Sequence, residues 1–162
     1  MPLLTNDVWR GILAESLQAA CTTEGFGLVA FVFMPEHVHL LAVPLAPTSN
    51  VSRLLARTKQ PASKQILVDA SSTLIEKLTV RERPGKYCFR FWQEGSEFDR
   101  NIFSPEAIAA SIDYIHMNPA KRRLCKKAID WKWPNARFYF NNSIDSDLPT
   151  LTCPDPSWFE NL

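Results

Sequence analysis

Residues 26–43 read FGLVAFVFMPEHVHLLAV, and no other stretch constrains the fold as tightly. Two apolar, β-type runs, 26–34 and 37–43, are separated by Pro35-Glu36 and read as a hairpin. Alternate side chains of a strand share a face. His37 and His39 therefore project together, while Val38 and Leu40 point the other way. A hydrophobic strand has no packing reason to carry two polar rings side by side. Two imidazoles at this spacing can bind one metal ion through neutral nitrogens, or they can be structural, and the spacing alone leaves both open. A metal would need a third ligand from elsewhere. Glu36, next to His37, is expected to face away from it.

The other elements are arranged around this hairpin. Residues 6–21 read as a helix capped by Asn6, with Val8, Ile12, Leu13 and Leu17 near a 3.6-residue period. A helix over 51–69, capped by Ser49 or Asn50, carries Arg53, Arg57, Lys59 and Lys64, with a kink or break expected at Pro61. A short helix near 72–78 precedes a basic turn, RERPGK. YCFRFWQEG reads as an aromatic strand, with EFDRNIF pairing back on it across Gly95-Ser96. This order gives an α+β fold, an antiparallel sheet with helices on one face.

SPEAIAASIDYIHMNP is a well-marked helix. Ser104 is placed to cap it, Pro105 falls at its first position and Glu106 favours its positive end. Pro119 is expected to end it. Ile108, Ile112 and Ile115 form the core stripe. Tyr114 lies about 200° round the helix from Ile112, on a face with Ala107, Ala110 and Ser111, and points toward Asn118 one turn on. It reads either as a half-buried tyrosine or as a group that meets a substrate. His116 lies on another face, where it could support the following loop.

Charge is unevenly spread. Residues 51–140 hold 17 of the 18 basic and nine of the 17 acidic side chains, whereas 141–162 hold four acidic and no basic ones. The middle of the chain is thus a candidate polyanion surface. Within 121–140, Lys121, Arg122, Arg123, Lys126, Lys127, Lys132 and Arg137 interleave with Trp131, Trp133, Phe138 and Tyr139, as in a groove for single-stranded nucleic acid. The tryptophans read as core, leaving the cations exposed. Four scattered cysteines without a CxxC pair, and a start without a basic n-region, read as reduced thiols in a cytoplasmic protein. No apolar run is long enough to span a membrane. The tail after 141, with Pro149, Pro154 and Pro156, is expected to be loosely ordered, leaving one domain over 1–140.

Taken together, these motifs resemble a family. MPEHVHLLAV is similar to the HUH motif (His, hydrophobic residue, His) of single-tyrosine, IS200-like transposases. FRFWQEGSEFDRNI, IDYIHMNPAKRRL and DWKWPNAR resemble, in order, the C-terminal half of the REP-associated tyrosine transposases, and the similarity runs from about residue 8 to 140. The resemblance implies a ferredoxin-like α+β fold and a monomer that cleaves and rejoins single-stranded DNA near hairpins. By motif, Tyr114 would be the nucleophile, and His37, His39 and Asn118 would hold a divalent metal, Mg²⁺ or Mn²⁺. Arg53, Arg57, Lys59, Lys64, Lys121, Arg122, Arg123, Lys126 and Lys127 would contact DNA, with His116 in support. The family begins with a strand before the first helix, and here that strand is expected to be missing. A relative that binds hairpin DNA without cutting it, and a metal hydrolase using water at the histidines, are the competing expectations.

Overall fold

A computed structural model of the chain describes residues 1–93, 99–133, 136–141 and 146–159. A short 3-10 turn at Leu3–Thr5 leads into α1 (Asp7–Glu24). Asn6 caps α1 by accepting from the Val8 N–H, and Gly25 ends it in the left-handed conformation at φ 67°, which glycine adopts without steric cost. Next come β1 (Phe26–Phe33) and β2 (Val38–Pro44), then α2 (Val51–Asp69) and α3 (Ser72–Leu78). β3 (Thr79–Arg83) and β4 (Lys86–Phe89) precede α4 (Pro105–Lys121) and the short α5 (Ala136–Asn141). Among the described residues only that 3-10 turn precedes α1.

β1 and β2 pair antiparallel around the Pro35-Glu36 turn, closed by the Met34 N–H donating to the His37 carbonyl. The register shifts at Val29, between Leu28 and Ala30. At this bulge Tyr139 donates its hydroxyl to the Val29 carbonyl, and the Thr152 N–H donates to the Leu28 carbonyl.

The α+β class stands, but the helices cover two faces of this hairpin rather than one. Phe26, Leu28, Phe31 and Phe33 pack with Trp9, Leu13 and Leu17 of α1 and Leu54, Ala62 and Ile66 of α2. Val29, Ala30, Val32 and Met34 pack instead with Ile112 and Ile115 of α4, with Ile108 alongside. Every residue of β1 is buried. A strand buried on both faces is apolar without alternation, and FGLVAFVF has that character.

Three further expectations are corrected. Lys86–Phe89, at the start of the YCFRFWQEG stretch, pairs with the preceding basic segment, so β3 and β4 form a separate two-stranded sheet, and the described residues 99–103 of EFDRNIF form no strand. Pro84 and Gly85, with Gly85 at φ 77°, make its two-residue turn, the combination a type II turn requires. The proposed Gly95-Ser96 crossing lies outside the described residues. Neither Pro61 nor Pro119 ends its helix. Each proline costs about 3 kcal/mol in a helix interior. Burial of Ala62 and Ile66 beyond Pro61, and of Pro119 itself with Asn118, offsets that cost. The described part of the tail is not loose either. Pro149 is buried, Leu148 and Leu151 pack on the α1 side of the core, and Thr150 donates its N–H to Gln18.

Asp7 ties the start of α1 to the Trp131–Trp133 segment. Trp133 donates Nε1–H to Asp7 Oδ1 at 2.7 Å, Arg10 donates to the same oxygen at 3.2 Å, and Lys132 lies 3.4 Å from Oδ2. The Trp133 bond, foremost, holds the Asp7 carboxyl below its ordinary 3.8, with burial opposing and Arg10 and Lys132 assisting. A depressed carboxyl contributes stability above its unfolded pKa and loses it as pH falls through the folded value. Asp7→Asn should therefore cost about 1 kcal/mol at neutral pH, a value kept small because the carboxylate is half exposed. In urea titrations the gap between variant and wild type should close as pH falls below the ordinary carboxyl value of 3.8 and through the lowered folded value.

Candidate active site

The site forms where β2 crosses α4. His39 leaves β2 on the face that α4 covers, because it shares its parity with Leu41 and Val43, which pack on that side, and His37 stands just ahead of the strand. The two Nε2 atoms stand 3.0 Å apart, and the rings meet edge to face. α4 brings up Asn118, whose side-chain amide lies 3.2 Å from His39 Nε2. One turn earlier Tyr114 sets its ring 5.4 Å from that of His39, again edge to face, while remaining 51% exposed.

The helix positions these groups because its other stripe is held. Ser104 caps α4 by accepting from the Ala107 N–H. Ile112 and Ile115 are buried against β1, and Asn118 and Pro119 are buried at the last turn. The Tyr114 side is thereby turned outward, over β2. Asn118 stays helical ahead of Pro119, and its carbonyl accepts from the Arg122 N–H.

Burial, foremost, lowers the pKa of both histidines. Arg122 adds to this at each, and His37 adds to it at His39. Neutral imidazoles are the form that binds metal. Atoms in neighbouring octahedral positions around an ion with bonds of about 2.1 Å lie about 3.0 Å apart. The 3.0 and 3.2 Å separations match that spacing. Exchange of the oxygen and nitrogen of the Asn118 amide, an assignment made from hydrogen bonding, would present an acceptor to such an ion. The residues present thus fit a weakly held divalent ion, although among the described residues no cluster of three His, Cys, Asp or Glu side chains exists to hold a metal.

Glu36 is a correction to the sequence reading. Its carboxylate does not turn away from His37. Oε2 lies 3.9 Å from His37 Nδ1 and 3.3 Å from Arg122 Nη1. It stands on the Nδ1 side of His37, away from the facing Nε2 atoms. The 86-residue separation of Glu36 and Arg122 left no local signal for this pair. The position of Lys121, with its ammonium 5.7 Å from the centre of the Tyr114 ring, was readable in principle, since two helical turns separate the residues.

The remaining candidates divide. Lys121, Arg122, Arg123, Lys126 and Lys127 are exposed at and beyond the end of α4. Arg53, Arg57, Lys59 and Lys64 lie on α2, which packs on the opposite face of the β1–β2 hairpin. There Arg57 pairs with Glu24, and Lys59 lies over the Trp92 ring. His116 is 2% exposed, with its ring against Tyr139. Trp133 is buried and Trp131 donates Nε1–H to the Phe33 carbonyl, so both belong to the core.

No family model matches the sequence. A curated relative, described as a putative REP-associated tyrosine transposase of Haemophilus influenzae, is 22% identical over 134 residues, which span 83% of this chain and 70% of the relative. A solved structure of a REP-associated tyrosine transposase bound to a REP hairpin superposes with a TM-score of 0.57 at 20% identity, covering 96% of this chain and 81% of that one. The resemblance read from the motifs is thus shared by a relative in sequence and by a solved structure in fold. Among the described residues no helix is long and apolar enough to cross a membrane.

Proposed function

We propose that this protein cleaves and rejoins single-stranded DNA beside hairpins through a covalent phosphotyrosine on Tyr114. One observation carries the reading. An exposed tyrosine stands over two neutral histidines and an amide that converge within hydrogen-bonding distance. In the forward step the Tyr114 oxygen attacks a backbone phosphorus. The P–O3′ bond breaks, and the departing oxygen takes a proton, balancing the one that the Tyr114 phenol gives up, to become a free 3′-hydroxyl. The new phosphotyrosine keeps the phosphodiester's energy, so a 3′-hydroxyl can attack it and restore the strand, releasing the tyrosine. His37, His39 and Asn118 would hold Mg²⁺ or Mn²⁺, which when bound polarises the phosphoryl oxygen and stabilises the transition-state charge. Lys121 places positive charge beside Tyr114 and Arg122 places it beside His37 and His39 for the incoming phosphate, and positioning supplies much of the catalysis of phosphoryl transfer. Glu36 holds Arg122 next to the HxH strand. The protein acts as a monomer in the cytoplasm.

The reading is tested by incubating the purified chain and Mn²⁺ with end-labelled single strands that span a palindrome. A protein–DNA adduct on a denaturing gel supports it. Binding without any adduct would favour a relative that holds hairpin DNA but does not cut, and product release without an adduct would favour hydrolysis by water. In the same assay the double variant Lys121→Ala, Arg122→Ala should weaken DNA binding. It should also flatten the dependence of log affinity on log salt by about 1.4, about 0.7 for each single-strand phosphate that the variant no longer neutralises.

A further inference from the structure

The β3–β4 hairpin has a surface that neither the core nor the Tyr114 cluster uses. No residue of either strand is buried. Arg81 and Tyr87 face each other across the ladder, and Tyr87 is 65% exposed. Arg83 and Lys86 flank the Pro84-Gly85 turn. From Thr79 to Arg90 the segment holds four basic side chains and a single acidic one, Glu82, which pairs with Lys86. A two-stranded ribbon is marginally stable by itself. Packing gives no reason for an exposed tyrosine set in a row of cations.

We propose that this ribbon is a second DNA contact, made to a duplex stem rather than to the unpaired strand. The proposal rests on the DNA-cleaving reading above. Two paired strands fit the major groove of B-DNA, which is about 12 Å wide. Arginines and a tyrosine hydroxyl are the donors that bind phosphate oxygens. An unpaired strand is usually held by several successive aromatic platforms, and Tyr87 is the one exposed aromatic among the described residues of the ribbon. The ribbon is rooted away from Tyr114. Arg90 donates its N–H to the Leu78 carbonyl at the end of α3, Phe91 meets Trp9 of α1, and Trp92 donates to the Lys59 carbonyl of α2. Its base therefore lies on the α1–α2 side of the β1–β2 hairpin, while Tyr114 acts on the α4 side. A stem held by the ribbon and a flanking unpaired strand at Tyr114 would be bound together without competing.

The test compares the full chain with the triple variant Arg81→Ala, Arg83→Ala, Tyr87→Ala on two probes. One is a stem-loop with about 10 base pairs, one duplex turn; the other is an unpaired oligonucleotide of equal length. The variant should bind the stem-loop about 10-fold or more weakly. Its salt slope there should flatten by about 1.8, about 0.9 per duplex phosphate contact. Affinity for the unpaired strand should stay within about two-fold of wild type. The milder pair Arg81→Gln, Arg83→Gln should show the same selective loss, and it replaces the triple variant if circular dichroism shows that variant to be unfolded. Unchanged stem-loop binding would overturn the proposal and leave the Tyr114 reading intact. Equal loss on both probes would make the ribbon a general strand contact and would overturn the duplex assignment. Failure of wild type to bind either probe would overturn the DNA reading and this proposal with it.

Discussion

Tyr114→Phe is expected to abolish the covalent protein–DNA adduct while leaving DNA affinity within a few-fold of wild type. The substitution removes one oxygen and keeps the ring. The edge-to-face contact with His39 and the Lys121 ammonium over the ring need only that ring. The side chain is half exposed, so the fold loses little. The loss of cleavage should be on the order of 10⁴-fold or more, the scale seen when a covalent nucleophile is removed from an otherwise intact site. A variant that still forms an adduct would move the nucleophile elsewhere. A variant that loses DNA binding altogether would make Tyr114 a docking residue.

His39→Ala is the second change with a large expected effect, larger than His37→Ala or Asn118→Ala. His39 Nε2 is the atom that both of the other ligand candidates approach, His37 at 3.0 Å and Asn118 at 3.2 Å. Its removal leaves a single imidazole and an amide with no common centre. Affinity for Mn²⁺, followed by electron paramagnetic resonance of the free ion, should fall by more than about 100-fold, the upper end of the cost of losing merely an outer partner of a ligand. Asn118→Asp should act in the opposite direction, because a carboxylate replaces a neutral amide as an oxygen ligand for a hard cation. Unchanged Mn²⁺ affinity in His39→Ala would separate the histidine pair from any metal role.

The two halves of this site were readable in the sequence because each is written in a local period. Alternation along β2 put His37 and His39 on one face, and the helical period of α4 separated Tyr114 from the Ile112–Ile115 stripe. Contacts that cross the fold had no such signal. The approach of Glu36 to Arg122 depends on how α4 lies over the Pro35-Glu36 turn. The division of helices between two faces depends on where the chain turns after β2. The run FGLVAFVF did carry a hint, since a strand with one solvated face would alternate. RERPGK was readable as a turn, but its partner strand was not. YCFRFWQEG is apolar enough to pair on either side, and the Pro84-Gly85 turn makes the nearer partner the cheaper one to close. The prolines misled in a consistent way. Pro61 and Pro119 are unfavourable locally, and burial around them, invisible in the sequence, outweighs that preference. In the described part of the tail the packing was hidden for a similar reason, because Leu148 and Leu151 pack on the core that α1 shares with β1, and Thr152 donates to β1, far away in sequence.

The most direct test is to find the adduct's chemical address. The wild-type chain would be incubated with Mn²⁺ and a hairpin-flanking single strand, denatured, digested with nuclease and protease, and analysed by mass spectrometry. The expected result is a single nucleotide remnant, joined through its 5′-phosphate to Tyr114 in the peptide that spans α4. A remnant on any other side chain, or cleaved DNA carrying a free 5′-phosphate with no modified peptide, would contradict a tyrosine mechanism at this site.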